Sequence, residues 1–136
     1  MSLVVETKKR IYVAGPLYGS GHVDENVKAA LLIAERLRER GFIPFVPHLF
    51  MFWHFRHEHP PSYWLEMDEV WLRCCHGMIL RDGESPGAMK EVIWANGAHI
   101  PITHTASNLS DLDTAIDLLS GILEGRGVAA NLTGGV

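Results

Sequence analysis

The pattern most able to do chemistry is Ser85-x-Gly87-x-x-x-Glu91. Ser85 followed by Pro86 reads as a helix N-cap with proline at the first helical position. The unpaired amides of that first turn, backed by the helix dipole, would hold an anion or a hydroxyl. Glu91 falls in the second turn and could reach a ligand held there; an ordinary capped helix with a solvated glutamate would show the same pattern. Asp68 is the second candidate. On a helix over 61–75, Trp64, Trp71, Leu72 and Cys75 share one face with Asp68 at its middle, while Glu66, Glu69 and Arg73 take the opposite face. A carboxylate centred on an apolar stripe must be paired, hydrogen-bonded or functional, because burying it alone is costly. Function and a purely structural acid fit it about equally. The third group is His54-x-x-His57-x-His59, with His48 nearby. Three histidines could ligate a metal, but no cysteine or carboxylate pattern completes a site. A solvated or substrate-facing loop, with no metal and no cofactor, is the expectation.

These residues need a scaffold to hold them. Ile11-Tyr12-Val13-Ala14, closed by Gly15-Pro16, reads as a buried strand, and the loop over 17–22 carries Gly19 and Gly21. Asp24 is the expected cap of a helix with Val27, Ala30, Leu31, Ala34 and Leu37 at helical spacing and Gly41 as its stop. A second strand is expected over 42–46, near an edge because of Pro44 and Pro47. Residues 48–61 show no period and read as a long aromatic loop. Beyond the helix at 61–75 come a strand at 77–80, a polar loop at 81–87 and the Ser85-capped helix to Asn96, stopped by Gly97. A brief strand at 100–102 and a last helix capped by Ser110 follow; that helix carries Leu112, Ile116, Leu119 and Leu123, with Asp113 in a capping-box-like position. Strand and helix alternate throughout. The expectation is α/β: a flavodoxin-like or Rossmann-like open parallel sheet with helices on both faces, one domain over 1–124 and a Gly-rich disordered tail over 125–136. Ligands of such sheets bind beyond the carboxyl ends of the strands, where the segments 15–21 and 82–87 belong.

Composition narrows the classes. The 136 residues are 47% hydrophobic and 21% charged with net charge −4, which suits one globular domain and argues against binding a nucleic-acid backbone. No apolar run approaches the ~20 residues of a membrane helix. Residues 1–10 lack the apolar core of a secretory signal. Cys74 and Cys75 are adjacent and would strain any bridge between them, so a reduced pair in a cytoplasmic protein is expected. The nucleophile-elbow and dinucleotide fingerprints are missing.

Taken in order, four segments resemble the nucleoside 2-deoxyribosyltransferase-like superfamily, which includes nucleoside 5′-monophosphate N-glycosidases. They are Ile11-Tyr12-Val13-Ala14-Gly15-Pro16, Gly41-Phe42-Ile43-Pro44-Phe45-Val46-Pro47-His48, Asp68-x-x-Trp71-Leu72 and Ser85-x-Gly87-x-x-x-Glu91. The resemblance spans about residues 10–102. It implies cleavage of the N-glycosidic bond of a nucleoside or nucleoside 5′-monophosphate, with the sugar passing to water or to another base. It makes Glu91 the nucleophile, Asp68 the acid, and Tyr12 the hydroxyl that orients the nucleophile. Ser85 and Gly87 would take the 5′ end of the sugar or its phosphate, with Gly15, Pro16, His48 and Trp64 also in the substrate site. Such chemistry is consistent with two carboxyls in different surroundings dividing acid and nucleophile roles, the tryptophan-ringed Asp68 having the raised pKa. Aromatics from Phe50 to Trp64 could stack a base. The resemblance also implies a homodimer or higher homo-oligomer, which the apolar last helix would suit. Where relatives carry an aspartate after the first acidic helix, this chain has Cys75-His76; its first loop has His22 but no arginine or lysine, leaving Arg81 and Lys90 as the nearest bases. Two rival readings keep the fold: a nucleotide-binding module without turnover, and a hydrolase of NAD-type glycosidic bonds.

Overall fold

β-branched and aromatic side chains at Ile11, Tyr12 and Val13 build strand β1 (Arg10–Ala14), the hub of the sheet in a computed structural model that describes residues 8–18, 21–83, 85–106 and 108–125. β1 pairs in parallel with β2 (Ile43–Phe45) on one side and β3 (Gly77–Arg81) on the other. β4 (Ile102–Thr105) joins β3, also in parallel, so the order is β2-β1-β3-β4. Parallel neighbours need crossover helices, and the result is the expected α/β, Rossmann-like open sheet. From β1 the chain runs outward to β2, and from β3 outward the other way to β4. The switch point therefore lies between the carboxyl ends of β1 and β3.

Strand parity decides which side chain meets which helix. Ile11 and Val13 face one layer, where they and Ile79 pack against Ala30, Ile33 and Leu37 of α1 (Val23–Glu39) and Leu112, Ile116 and Leu119 of α5 (Leu109–Leu123). Tyr12 and Ala14 face the other, with Met78, Leu72 of α3 (Pro61–Arg73) and Ala95 of α4 (Pro86–Gly97). Helices thus cover both faces. At the sheet's carboxyl end the β1 and β3 loops touch: Gly83 has φ +144°, and a Cβ there would come within 2.6 Å of Pro16 Cγ, so only glycine fits.

Several expectations need correction. The supposed loop over 48–61 contains a 3₁₀ turn (Pro47–Leu49) and a helix, α2 (Phe50–Arg56). Its sequence, FMFWHFR, lacks both helical period and a cap; ring contacts hold it, including Phe50 with Phe45 and Trp64 with both Phe50 and Trp53. α1 begins at Val23 with His22 at its N-cap, so Asp24 lies in the first turn, and its buried stripe is Asn26, Ala30, Ile33 and Leu37 rather than one through Leu31. The fourth strand starts at Ile102, two residues later than expected. Asn108, not Ser110, caps α5 by accepting from the Asp111 amide, and Asp113 pairs with Arg36 of α1. The apolar stripe of α5 is spent inside the chain's own core, so it lends no support to assembly. Gly19 and residues 126–136 of the expected tail lie outside the described residues. Among the described residues no helix is long and apolar enough to cross a membrane.

Candidate active site

Glu91 owes its place to α4. Ser85 Oγ accepts from the Ala88 amide at 3.2 Å and starts that helix as its pattern required. Ala88, Glu91 and Ala95 then form its inward stripe, small residues that let the helix sit close and carry one carboxylate into the protein. Pro86 has no amide to offer, and the Met89 amide goes to the Ser85 carbonyl. That leaves the Gly87 amide without an intrahelical partner in the first turn.

Asp68 comes from α3, one turn before the fully buried Leu72. Tyr12 comes from β1, whose parity sends its ring into the α3–α4 layer. The three side chains meet there. Tyr12 Oη, Asp68 Oδ1 and Glu91 Oε2 are all buried without a hydrogen-bond partner. Burial is the main force on all of them, since it penalises the charged form. It pushes Asp68 up to about 7. It pushes Glu91 up to about 8, opposed by the Tyr12 hydroxyl and reinforced by the Asp68 charge. The Tyr12 phenol is raised well above its ordinary value, first by burial and then by the two carboxylates. The hydroxyl lies near enough to Glu91 to influence it, yet no bond of good geometry closes between them. Asp68 has the raised pKa expected of it; the nucleophile candidate has one too.

Above these groups lies a cavity of about 860 Å³, large enough for a nucleoside. Gly15, Trp64, Asp68, Ser85, Gly87 and Glu91 line it. Tyr12, close enough for its hydroxyl to be affected by both carboxyl charges, does not line it. Pro16 is buried against Gly83 and does not line it. His48 is buried too, beside the backbone of Gly15 and Pro16; its Nδ1 has no hydrogen-bond partner among the described residues, and burial lowers its pKa. It packs behind the β1 loop and does not line the cavity. Arg81 turns the other way, donating from Nη1 to Asn26 at 2.9 Å, and Lys90 is exposed on α4, so neither supplies a cation to the lining.

Sequence reading puts the aromatics from Phe50 to Trp64 at the substrate and the histidine segment in a solvated or substrate-facing loop, but misses the helix α2 that positions them. Phe50, Met51, His54, Glu58 and His59 line the cavity. Phe50 and Trp64 stack with centroids 5.8 Å apart and planes 26° apart, and Trp53 and Tyr63 meet Trp64 edge-on. The aromatic density from Phe50 to Trp64 was the available signal, though the helix that organises it was not visible. Among the described residues no three His, Cys, Asp or Glu side chains group as metal ligands would.

The model of a family described as a domain of unknown function (DUF7768) matches residues 9–105. No curated protein matches the chain. Among solved structures, a conserved protein from Enterococcus faecalis V583 is similar at a TM-score of 0.58 and 16% identity, covering 73% of this chain and 64% of that one. The chain thus spans less than two-thirds of that protein's length. The CMP N-glycosidase BcmB of Clostridium botulinum is similar at a TM-score of 0.52 and 18% identity, covering 79% and 82%. BlsM is similar at 0.53 and 15%, covering 89% and 76%. At these identities the likeness is one of fold.

Proposed function

Since this chain belongs to the DUF7768 family, whose description assigns no activity, we propose from the site itself that it cleaves the N-glycosidic bond of a nucleoside or nucleoside 5′-monophosphate. The observation that carries the reading is the convergence of Glu91 and Asp68, from two different helices, on one nucleoside-sized cavity with the Tyr12 hydroxyl beside them. The fold shared with a CMP N-glycosidase supports it.

In this reading the Glu91 carboxylate attacks the anomeric carbon as the C–N bond breaks, and Asp68 gives its proton to the departing base. A glycosyl ester on Glu91 results. Water, or a second base, then attacks the same carbon while the Asp68 carboxylate takes the proton, which frees Glu91 and restores the acid. With burial raising Asp68 to about 7 and Glu91 to about 8, the two carboxyls together carry about one proton between those values. In the free protein burial favours that proton on Glu91. A hydrogen bond donated by Tyr12 and the positive charge growing on the sugar both favour ionised Glu91, which moves the proton to Asp68, where the leaving base needs it. The Gly87 amide and Ser85, at the mouth of α4, would receive the 5′ end of the sugar.

The test is a panel of nucleosides, their 5′-monophosphates and NAD, followed by chromatography for released base. Free base from one of the nucleosides or monophosphates, lost in Glu91→Ala, is the expected result. Tight binding without product would instead leave a nucleotide-binding module, and nicotinamide release would shift the substrate to NAD. The proposal includes a homodimer or higher assembly. Exposed Phe52, Phe55, Val70, Met89 and Ile93 on α2, α3 and α4 are the apolar side chains available for it, and sedimentation velocity measures it.

A further inference from the structure

His54 lines the cavity with its ring held by hydrogen bonds. Two donors converge on its Nδ1: the Trp64 indole N–H at 2.9 Å and the His59 backbone N–H at 3.3 Å. An atom that accepts two N–H groups carries no proton itself. The ring is therefore the neutral tautomer with its proton on Nε2, and among the described residues Nε2–H has no partner. His54 lines the cavity, and Nε2–H is the one polar group its ring has left to offer a ligand there.

Its position along the cavity is set by α3. Trp64, which fixes the ring, and Asp68 are four residues apart on the same helix, both on the cavity wall. That spacing is about one helical turn, ~5.4 Å. Resting on the function proposed above, Asp68 stands at the glycosidic nitrogen, and one turn further brings a bound base to its edge remote from the sugar. The stacked Phe50 and Trp64 rings give an apolar wall on that stretch.

We infer that His54 reads the far edge of the base through Nε2–H, so that the site favours bases with a carbonyl oxygen there over those with an amino group. Uracil and hypoxanthine have the carbonyl; cytosine and adenine have the amino group, a donor that would face a donor and leave both unpaired. A buried polar mismatch of that kind is the strongest discriminator a pocket has.

The pairs uridine with cytidine and inosine with adenosine differ mainly at that edge. Binding to Glu91→Gln protein, read by tryptophan fluorescence, removes turnover from the comparison. At least a tenfold preference for the carbonyl member of a pair is expected. His54→Asn keeps an amide oxygen for the Trp64 indole but is too short to reach the base, and the preference should fall to within about twofold. Independently, long-range ¹H–¹⁵N spectra should show Nδ1 of His54 unprotonated and Nε2 protonated, with Trp64→Phe loosening that tautomer. Equal or reversed preference in a protein that binds nucleosides, or a protonated Nδ1, overturns this inference alone. A protein that neither binds nor cleaves any of the four nucleosides or their 5′-monophosphates overturns the proposed function, and this inference with it.

Discussion

The two faces of the sheet are built to different standards. On the α1–α5 side, Ile11, Val13, Leu37, Ile116 and Leu119 are buried almost completely in an apolar cluster, and Arg36 to Asp113 and Arg40 to Asp117 tie the helices at the rim. On the α3–α4 side the same strand contributes Tyr12, and the helices bring Asp68 and Glu91 to it, three buried polar atoms without partners. Each such atom costs stability, of the order of 1–3 kcal/mol. Arg81 Nε and His48 Nδ1 are also buried without partners, but among the described residues only on the α3–α4 face do such atoms gather in one group, with two of them at the cavity. Strained polarity of that kind collects at functional sites, where ligand atoms complete the missing bonds.

Substitutions should separate the two faces. The largest effect expected is on Glu91→Gln, which removes the nucleophile while keeping its shape. Turnover of a cleaved substrate should fall by about a thousandfold or more, ~4 kcal/mol in the barrier, while melting at pH 8 holds or rises because a poorly solvated charge is gone. A melting temperature that drops with activity would mean that Glu91 supports the fold instead. Next comes Leu119→Ala on the opposite face, where α5 packs against Gly77. A loss of about 3 kcal/mol is expected, roughly 10 °C in Tm, with kcat of the folded protein unchanged.

The pH dependence isolates the polar face. Burial raises the folded pKa of Asp68 to about 7 from 3.8 and of Glu91 to about 8 from 4.5. At these two sites the folded protein therefore holds more protons than the unfolded chain between those values, and their contribution to stability falls as pH rises from about 4 to about 8. A clear drop in Tm across that range is expected, flattened in the Asp68→Asn, Glu91→Gln double variant. A wild-type curve that is flat, or rises, would show the carboxyls to be better solvated than the geometry indicates. Activity needs one proton in the pair and should be greatest between about pH 7 and pH 8.

The two side-chain caps give the finest comparison. Ser85→Ala on α4 and Asn108→Ala on α5 each remove one cap hydrogen bond and should each cost about 1 kcal/mol by denaturant titration. Only Ser85→Ala should also raise KM, because only that helix start lines the cavity. Equal kinetics in the two variants would take the sugar end of the substrate away from α4. The smallest effect belongs to Arg40→Ala, whose exposed partner Asp117 is well solvated; a change in Tm of no more than about 2 °C is expected.

Alternation of strand and helix signals fixed the fold class, because parallel strands with short loops leave few other ways to bury every apolar face. The Ser85-Pro86 cap was legible for a local reason: its bond closes within three residues, and the Asp68 stripe was legible because helical periodicity needs no partner to be seen. Helix α2 was not, since FMFWHFR has neither period nor cap and becomes helical only where Phe45, Trp64 and their neighbours supply ring contacts. Arg81 looked like a base for the site until Asn26, distant in sequence, drew it away. The residues that could act were thus present as types and spacings. That Asp68 and Glu91 share a cavity with Tyr12 behind them, that burial raises both carboxyl pKa values, and that two N–H groups converge on His54 were decided by tertiary structure alone, because desolvation and hydrogen-bond partners come from whatever the fold places beside a group, not from its neighbours along the chain.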